Sequence, residues 1–348
     1  MSEKILSIIV PSYNMEKYLP RCLGSLVVPP GLMERLEVLV VNDGSKDRTS
    51  EIAHEFEAKW PATFKVIDKQ NGNYGSCINA ALPVATGEFV KVLDADDYLD
   101  PEALSKLLSI LPTVKDDKIG LVLTDYDIVD EKGEVTQKNI LPFEPEQAFS
   151  TVTFLKSGVY VPMHAYAYRR AIFDNLGYVQ KEGISYTDTE WALLPLVAVE
   201  SVIRYPLTVY KYLIGRADQT MAPEVWQKSQ WMRDEVFLDM ARQFATLGRR
   251  ETDACRAVGD DIYLKVENVY RQRLIINPRQ VGGVEIKDFD EQLKKVNGEI
   301  YSHVHNACYA HYFPCRFVDA WERHSILFPI MRRLCIFYTK LATRGCSA

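Results

Sequence analysis

A chain of 348 residues, 47% apolar and 25% charged, is long enough for one large domain plus a smaller one and too apolar for disorder to dominate. Its formal net charge of −6 provides no global basic field, which argues against nucleic acid as a partner. The seven cysteines are scattered, with no CxxC and no Cys/His spacing suited to zinc, a pattern of reduced thiols rather than a disulfide framework. The opening MSEKILSIIVPSYN lacks the apolar core and cleavage site of a secretion signal. No window reaches the roughly 18 consecutive apolar residues of a spanning helix. The expectation is a cytoplasmic protein, at most peripheral on the inner face of a membrane.

The first hundred residues alternate short β-branched runs with segments of helical spacing. LSIIV (6–10) reads as a strand, followed by the loop PSYN and a helix to about Val27 with Pro20 in its first turn. EVLVV (37–41) is a second strand, and the helix from Asp47 to Lys59 opens with Asp47 as cap. FKVID (64–68), a helix over 75–85 and the strand EFVKVL (88–93) complete four β/α steps. Near-continuous apolar strands of this kind imply a Rossmann-like, mostly parallel α/β sheet flanked by helices on both faces. GLVLTDYDIVDEKGEV (120–135) reads as strand, turn at Lys132–Gly133, strand. AYAYRRAIFDNLG and TDTEWALLPLVA suggest a loop feeding two helices, and SVIRYPLTVYKYLIGR a return to strands. From Pro223 the spacing is helical, so the natural cut divides 1–222 from a helical 223–348.

In a parallel sheet of this type ligands bind beyond the carboxyl ends of the strands. PSYN, NDGS (42–45), DKQNGNYG (68–75) and DADD (94–97) follow the four strands and therefore share one rim. Asp94-Ala95-Asp96 is a D-x-D at a strand end, where residues i and i+2 of extended chain point the same way. Two such carboxylates suit Mg²⁺ or Mn²⁺, which bind one or two protein carboxylates plus phosphate oxygens. A nucleoside diphosphate fits as the third party.

SIIVPSYNMEKYLPRCLGSL, EVLVVNDGSKDRTSEIA, NGNYGSCINAAL and GEFVKVLDADDYLDP, in this order, resemble the nucleotide-sugar-binding half of inverting family 2 glycosyltransferases of GT-A fold. The resemblance covers about the first 105 residues. It implies that Pro11, Ser12 and Tyr13 lie against the nucleotide and that Asp43 accepts the pyrimidine N3–H. Asn71, Gly72 and Gly75 would line base and ribose, Asp94 would contact ribose or metal, and Asp96 would ligate the metal. Uridine fits Asp43; thymidine shares that edge, and guanosine donors stay open.

The same resemblance implies an acidic base, usually a Glu-Asp pair ahead of a helix. Here Thr187 replaces the Glu in SYTDTEWALLPL, which nominates Asp188, with Glu190 as rival. YKYLIGRADQT (210–220) nominates Arg216, then Gln219, toward the diphosphate. MHAYAYRR (163–170) brings His164 to the acceptor side, although a lone histidine is more often structural. The reaction implied is a single displacement with inversion, moving a sugar from a nucleotide-sugar donor to a hydroxyl of a glycan or lipid-linked saccharide in cell-surface polysaccharide synthesis. The rival readings are a nucleotidyltransferase, which would need a Gly-rich basic loop that PSYNMEKY is not, and an inactive nucleotide-sugar-binding module. The segment 322–344 places Arg323, Arg332, Arg333, Lys340 and Arg344 among apolar residues with no acid after Glu322. Such an amphipathic segment either lies on an anionic bilayer or packs on its own domain or on the second subunit of a homodimer.

Overall fold

The computed structural model describes residues 4–174, 176–215, 229–247, 251–276, 285–306, 317–323 and 329–333. Chain contacts divide it into two units, Met1–Ala222 with Arg250–Val258, and Pro223–Arg249 with Gly259–Ala348.

The first unit is built on one ten-stranded sheet. Its amino-terminal half holds β1 (Leu6–Ser12), β2 (Leu36–Asn42), β3 (Phe64–Asp68) and β4 (Phe89–Val92), all parallel in the order β3-β2-β1-β4. These strands form where the apolar runs predict them, because β-branched residues buried on both faces favour extended chain. The connecting helices are α1 (Leu19–Gly24), α2 (Pro30–Met33), α3 (Thr49–Lys59) and α4 (Asn73–Ala81). Pro20 sits at the start of α1, as expected of a residue without a donor N–H. Asp47 is one residue short of the cap position, which Arg48 holds, but Asp47 Oδ1 accepts from Thr49 N (3.0 Å) and Thr49 Oγ1 (2.6 Å). Pro83 converts the end of α4 into a 3₁₀ turn over Leu82–Val84.

After β4 come β5 (Tyr98–Leu99), α5 (Pro101–Ile110), β6 (Ile119–Val129), β7 (Val135–Asn139), β8 (Ala148–Ser150) and α6 (Thr151–Lys156). Next is β9 (Tyr166–Arg169), antiparallel to both β4 and β6. The sequence pattern reads this stretch as loop and helix. Four residues are too few for a periodic signal, and all four are buried, so no inside–outside alternation marks them. Instead of two α-helices, the described residues that follow hold a 3₁₀ turn over Arg170–Phe173 and α7 (Asp188–Leu193), and Pro195 turns the continuation of α7 into 3₁₀. β10 (Ser201–Leu213) runs parallel to β6 with register shifts around the exposed Pro206, where a missing N–H is tolerated.

From residue 229 onward the described segments are helical: α8 (Gln230–Leu247), α9 (Asp253–Tyr270), α10 (Ile286–Val296), α11 (Gly298–Asn306) and α12 (Phe317–Glu322). Among the described residues no helix is long and apolar enough to cross a membrane. Most of the basic segment 322–344, including Lys340 and Arg344, lies outside the described residues.

One buried acid staples the far end of the sheet. Glu37 on β2 accepts from Ser7 Oγ (2.6 Å), Thr86 N (2.7 Å) and Thr86 Oγ1 (2.8 Å). Burial alone would raise its pKa, but these hydrogen bonds outweigh it and hold the carboxyl below the ordinary glutamate value. A folded-state pKa below the unfolded one contributes stability that is complete above the unfolded value of about 4.3 and is lost as pH falls through the folded value. Glu37→Gln is therefore expected to cost about 1–3 kcal/mol at pH 7. Urea unfolding at neutral and acid pH checks this: the gap between variant and wild type closes below about pH 4.

Candidate active site

The strand register places Ser12 beside Asn42 and Asn42 beside Asp68, so the carboxyl ends of β1, β2 and β3 form one row. The loops beyond this row and beyond β4 enclose a cavity of about 320 Å³. Pro11, Ser12, Tyr13, Asp43, Asn71, Asp94 and Asp96 all line it. Asp43 is 2% exposed and rigidly held: its Oδ1 accepts from Lys69 Nζ (2.7 Å) and Gly72 N (2.9 Å). Lys69 Nζ also donates to Gln70 O and Ser76 Oγ, each at 2.7 Å, which fixes the ammonium in place.

Gly72 and Gly75, expected against the nucleotide, do not line the cavity. Their work is close approach of backbone. A Cβ on Gly75 would lie 1.9 Å from Lys181 O, and Gly72 O accepts from Gly183 N at 2.8 Å. Asn79 extends the seam, with Nδ2 donating to Gln180 O (2.8 Å) and Oδ1 accepting from Gln180 N (2.9 Å). The segment 180–183 is thereby fastened to α4, and it leads into Asp188.

The D-x-D does not continue the strand. Asp97 N donates to Asp94 O at 3.0 Å, closing a turn over Ala95 and Asp96, so Asp94 and Asp96 reach one cavity from a turn and not from extended chain. Asp94 Oδ1 is buried with no hydrogen-bond partner, while Asp96 lines the same cavity. Among the described residues, Asp94, Asp97 and His164 bring possible ligand atoms within 4.8 Å of one another. Asp97 is fully buried and committed, accepting from Tyr210 Oη (2.6 Å) and Leu213 N (2.7 Å). Burial first, then the charges of Asp96 and Asp94, push its pKa well above the usual carboxylate range. With Asp97 so engaged, Asp94 and Asp96 are the carboxylates of this turn that line the cavity, and His164 Nε2 lies 3.8 Å from Asp94 Oδ2.

A second cavity of about 410 Å³ adjoins the first and shares Tyr74, Asp94, Ser185 and Tyr212 with it. Asp188 and His164 line it. His164 is stacked on Tyr210 and packed against Tyr212, with ring centroids at 4.6 and 4.4 Å, and the Lys91 ammonium beneath donates to its carbonyl. Lys91 is the one charged residue in the apolar run of β4, and burial pushes its pKa down to about 7. Burial, and after it the charge of Asp94, raise the Asp188 carboxyl above the ordinary aspartate value, the direction that suits a general base. Tyr186, two residues earlier, holds a left-handed φ of 68°, a conformation that costs free energy outside glycine.

Residues 7–177 match the family model described as Glycosyl transferase family 2. This stretch is a glycosyltransferase family 2 domain. The putative glycosyltransferase EpsH of Bacillus subtilis is 35% identical over 126 residues, covering 36% of this chain and 35% of EpsH. The chondroitin synthase of Pasteurella multocida is 34% identical over 131 residues, 38% of this chain and 13% of that protein. The chain thus spans about a third or less of these relatives. Residues 1–349 of S. aureus TarS, solved with UDP-GlcNAc, superpose with a TM-score of 0.63 at 18% identity over 92% of both chains. The glycosyltransferase fold is GT-A.

Beyond the matched stretch, Glu190 is fully buried, and its Oε2 accepts from Lys181 N at 2.7 Å; it lines neither cavity. Thr187 is also buried and accepts from Gln180 Nε2. Arg216 and Gln219 lie outside the described residues. Sequence reading missed Lys69, Tyr74, Ser185 and Tyr212. A lysine two positions before the Asn71-Gly72 pair and a tyrosine two positions after it were visible, but nothing local showed what they touch.

Proposed function

We propose that this chain transfers a sugar from a nucleoside diphosphate sugar to an acceptor hydroxyl, with inversion, in the building of cell-surface polysaccharide. The observation that carries this is the meeting of two cavities at Asp94: one holds the nucleotide-type residues around Asp43, the other presents a second carboxylate, Asp188. The synthase named among the relatives and the UDP-GlcNAc bound by TarS support the substrate class.

In this reading Asp43, oriented by Lys69, accepts the N3–H of uracil, and Ser12, Tyr13 and Asn71 enclose base and ribose. Asp188 takes the proton of the attacking hydroxyl as the bond to the anomeric carbon forms and the bond to the diphosphate breaks. Asp94 and Asp96 would hold Mg²⁺ or Mn²⁺, which when bound offsets the charge of the leaving diphosphate. Burial first, then the charges of Asp94 and Asp188, raise the pKa of Tyr74, so it stays a neutral hydroxyl.

Turnover of a panel of UDP-, dTDP- and GDP-sugars with and without Mn²⁺, followed by release of the nucleoside diphosphate, tests the proposal. Metal-stimulated release from a UDP-sugar is the expected result, and no release from any donor sinks it. Lys69→Met is expected to weaken UDP binding roughly tenfold, about 1.4 kcal/mol. The reason is that Asp43 would lose the ammonium that fixes its rotamer. Calorimetric titration reads this directly.

A further inference from the structure

The second cavity carries more tyrosine than a general base requires. Tyr126 and Tyr160 line it together with Tyr212 and Tyr186, and Tyr160 is 82% exposed at its mouth. A ring this exposed contributes little to the core. Tyr126 comes from β6 and Tyr212 from β10, adjacent strands, and Tyr126 stands edge-on to His164 at 6.2 Å. Asp94 and Asp188 add two carboxylates, and among the described lining residues there is no lysine or arginine. Phosphate entering this cavity would meet the like charge of Asp94 and Asp188, with no lysine or arginine among the described lining residues to offset it. Any divalent cation on Asp94 and Asp96 is committed to the donor diphosphate on the other side. A pyranose ring meets the opposite situation, because its C–H faces carry partial positive charge and pack on the negative faces of aromatic rings. A volume of about 410 Å³ falls within the range of sites for small ligands.

We propose that this cavity binds an uncharged saccharide as acceptor, its ring stacked on Tyr160 and Tyr126, and that it excludes acceptors whose phosphate lies next to the reacting hydroxyl. The inference rests on the glycosyl-transfer reading above for the word acceptor, while the binding itself is measured without turnover.

The full chain is examined by saturation-transfer NMR with maltotriose, cellotriose and triacetylchitotriose, and separately with decyl phosphate. Saturation transfer to the C–H protons of at least one saccharide, and none to decyl phosphate, is expected. Tyr160→Ala should weaken that saccharide's Kd by about tenfold or more, whereas Tyr160→Phe, which keeps the ring and loses only the hydroxyl, should stay within about twofold. Binding of decyl phosphate without any saccharide, or undiminished saccharide affinity in Tyr160→Ala, overturns the proposal. UDP titration of the same samples separates the two readings. UDP binding with no saccharide binding sinks the acceptor inference alone, and saccharide binding with no UDP binding supports the cleft while sinking the transfer reaction.

Discussion

Replacing Asp188 by asparagine is expected to reduce sugar transfer by roughly 10²–10⁴-fold, the usual span of a lost general base, with UDP affinity changed less than about twofold. Asp188 lines the second cavity and not the one around Asp43, which is why the two effects should separate. The base works only when ionised. Because burial and Asp94 raise its pKa, the wild-type rate should fall on the acid side at a pH above the ordinary aspartate value of 3.8. That limb should vanish from the residual activity of Asp188→Asn. Glu190→Gln should instead loosen the segment at Lys181 that Glu190 holds and show itself first in thermal unfolding. If Glu190→Gln loses transfer at normal stability while Asp188→Asn remains active, the roles are reversed.

The second large effect concerns the metal. Asp96→Asn is expected to lower Mn²⁺-dependent UDP affinity roughly a hundredfold, about 2.7 kcal/mol, to the level seen with excess chelator. Asp97→Asn should behave differently. Its carboxyl is pinned by Tyr210 Oη and Leu213 N, so its loss loosens β10 against the turn at Ala95 and lowers stability more than it lowers nucleotide affinity. Should Asp97→Asn abolish the metal dependence in a folded protein while Asp96→Asn leaves it intact, the ligands are the compact trio of Asp94, Asp97 and His164.

The donor half of the fold was legible because its information is local. Each parallel strand is an apolar run ending in a polar loop, and the parallel order alone brings Ser12, Asn42 and Asp68 to one edge. The acceptor half was not, because its residues meet only through pairings between distant segments. Tyr74, Tyr126, Tyr160 and Tyr212 are spread over the chain, and β9, four buried residues without alternation, is the strand that seats β6 beside β4. Gly75 was visible as a glycine, yet only the approach of Lys181 O shows why no side chain fits there. The D-x-D was recognised by its residue types, while the turn that sends Asp97 into the core depends on Tyr210, more than a hundred positions later.

The central claim is that the rim between Asp43 and the Asp94–Asp96 turn is a metal-assisted nucleoside diphosphate site. Calorimetric titration of UDP onto the full chain, with Mn²⁺ and again with chelator, tests it most directly. The account predicts one-to-one binding with Mn²⁺ that chelator strongly weakens and that Asp43→Ala abolishes. UDP binding that ignores both the metal and Asp43, or no UDP binding at all, would contradict it.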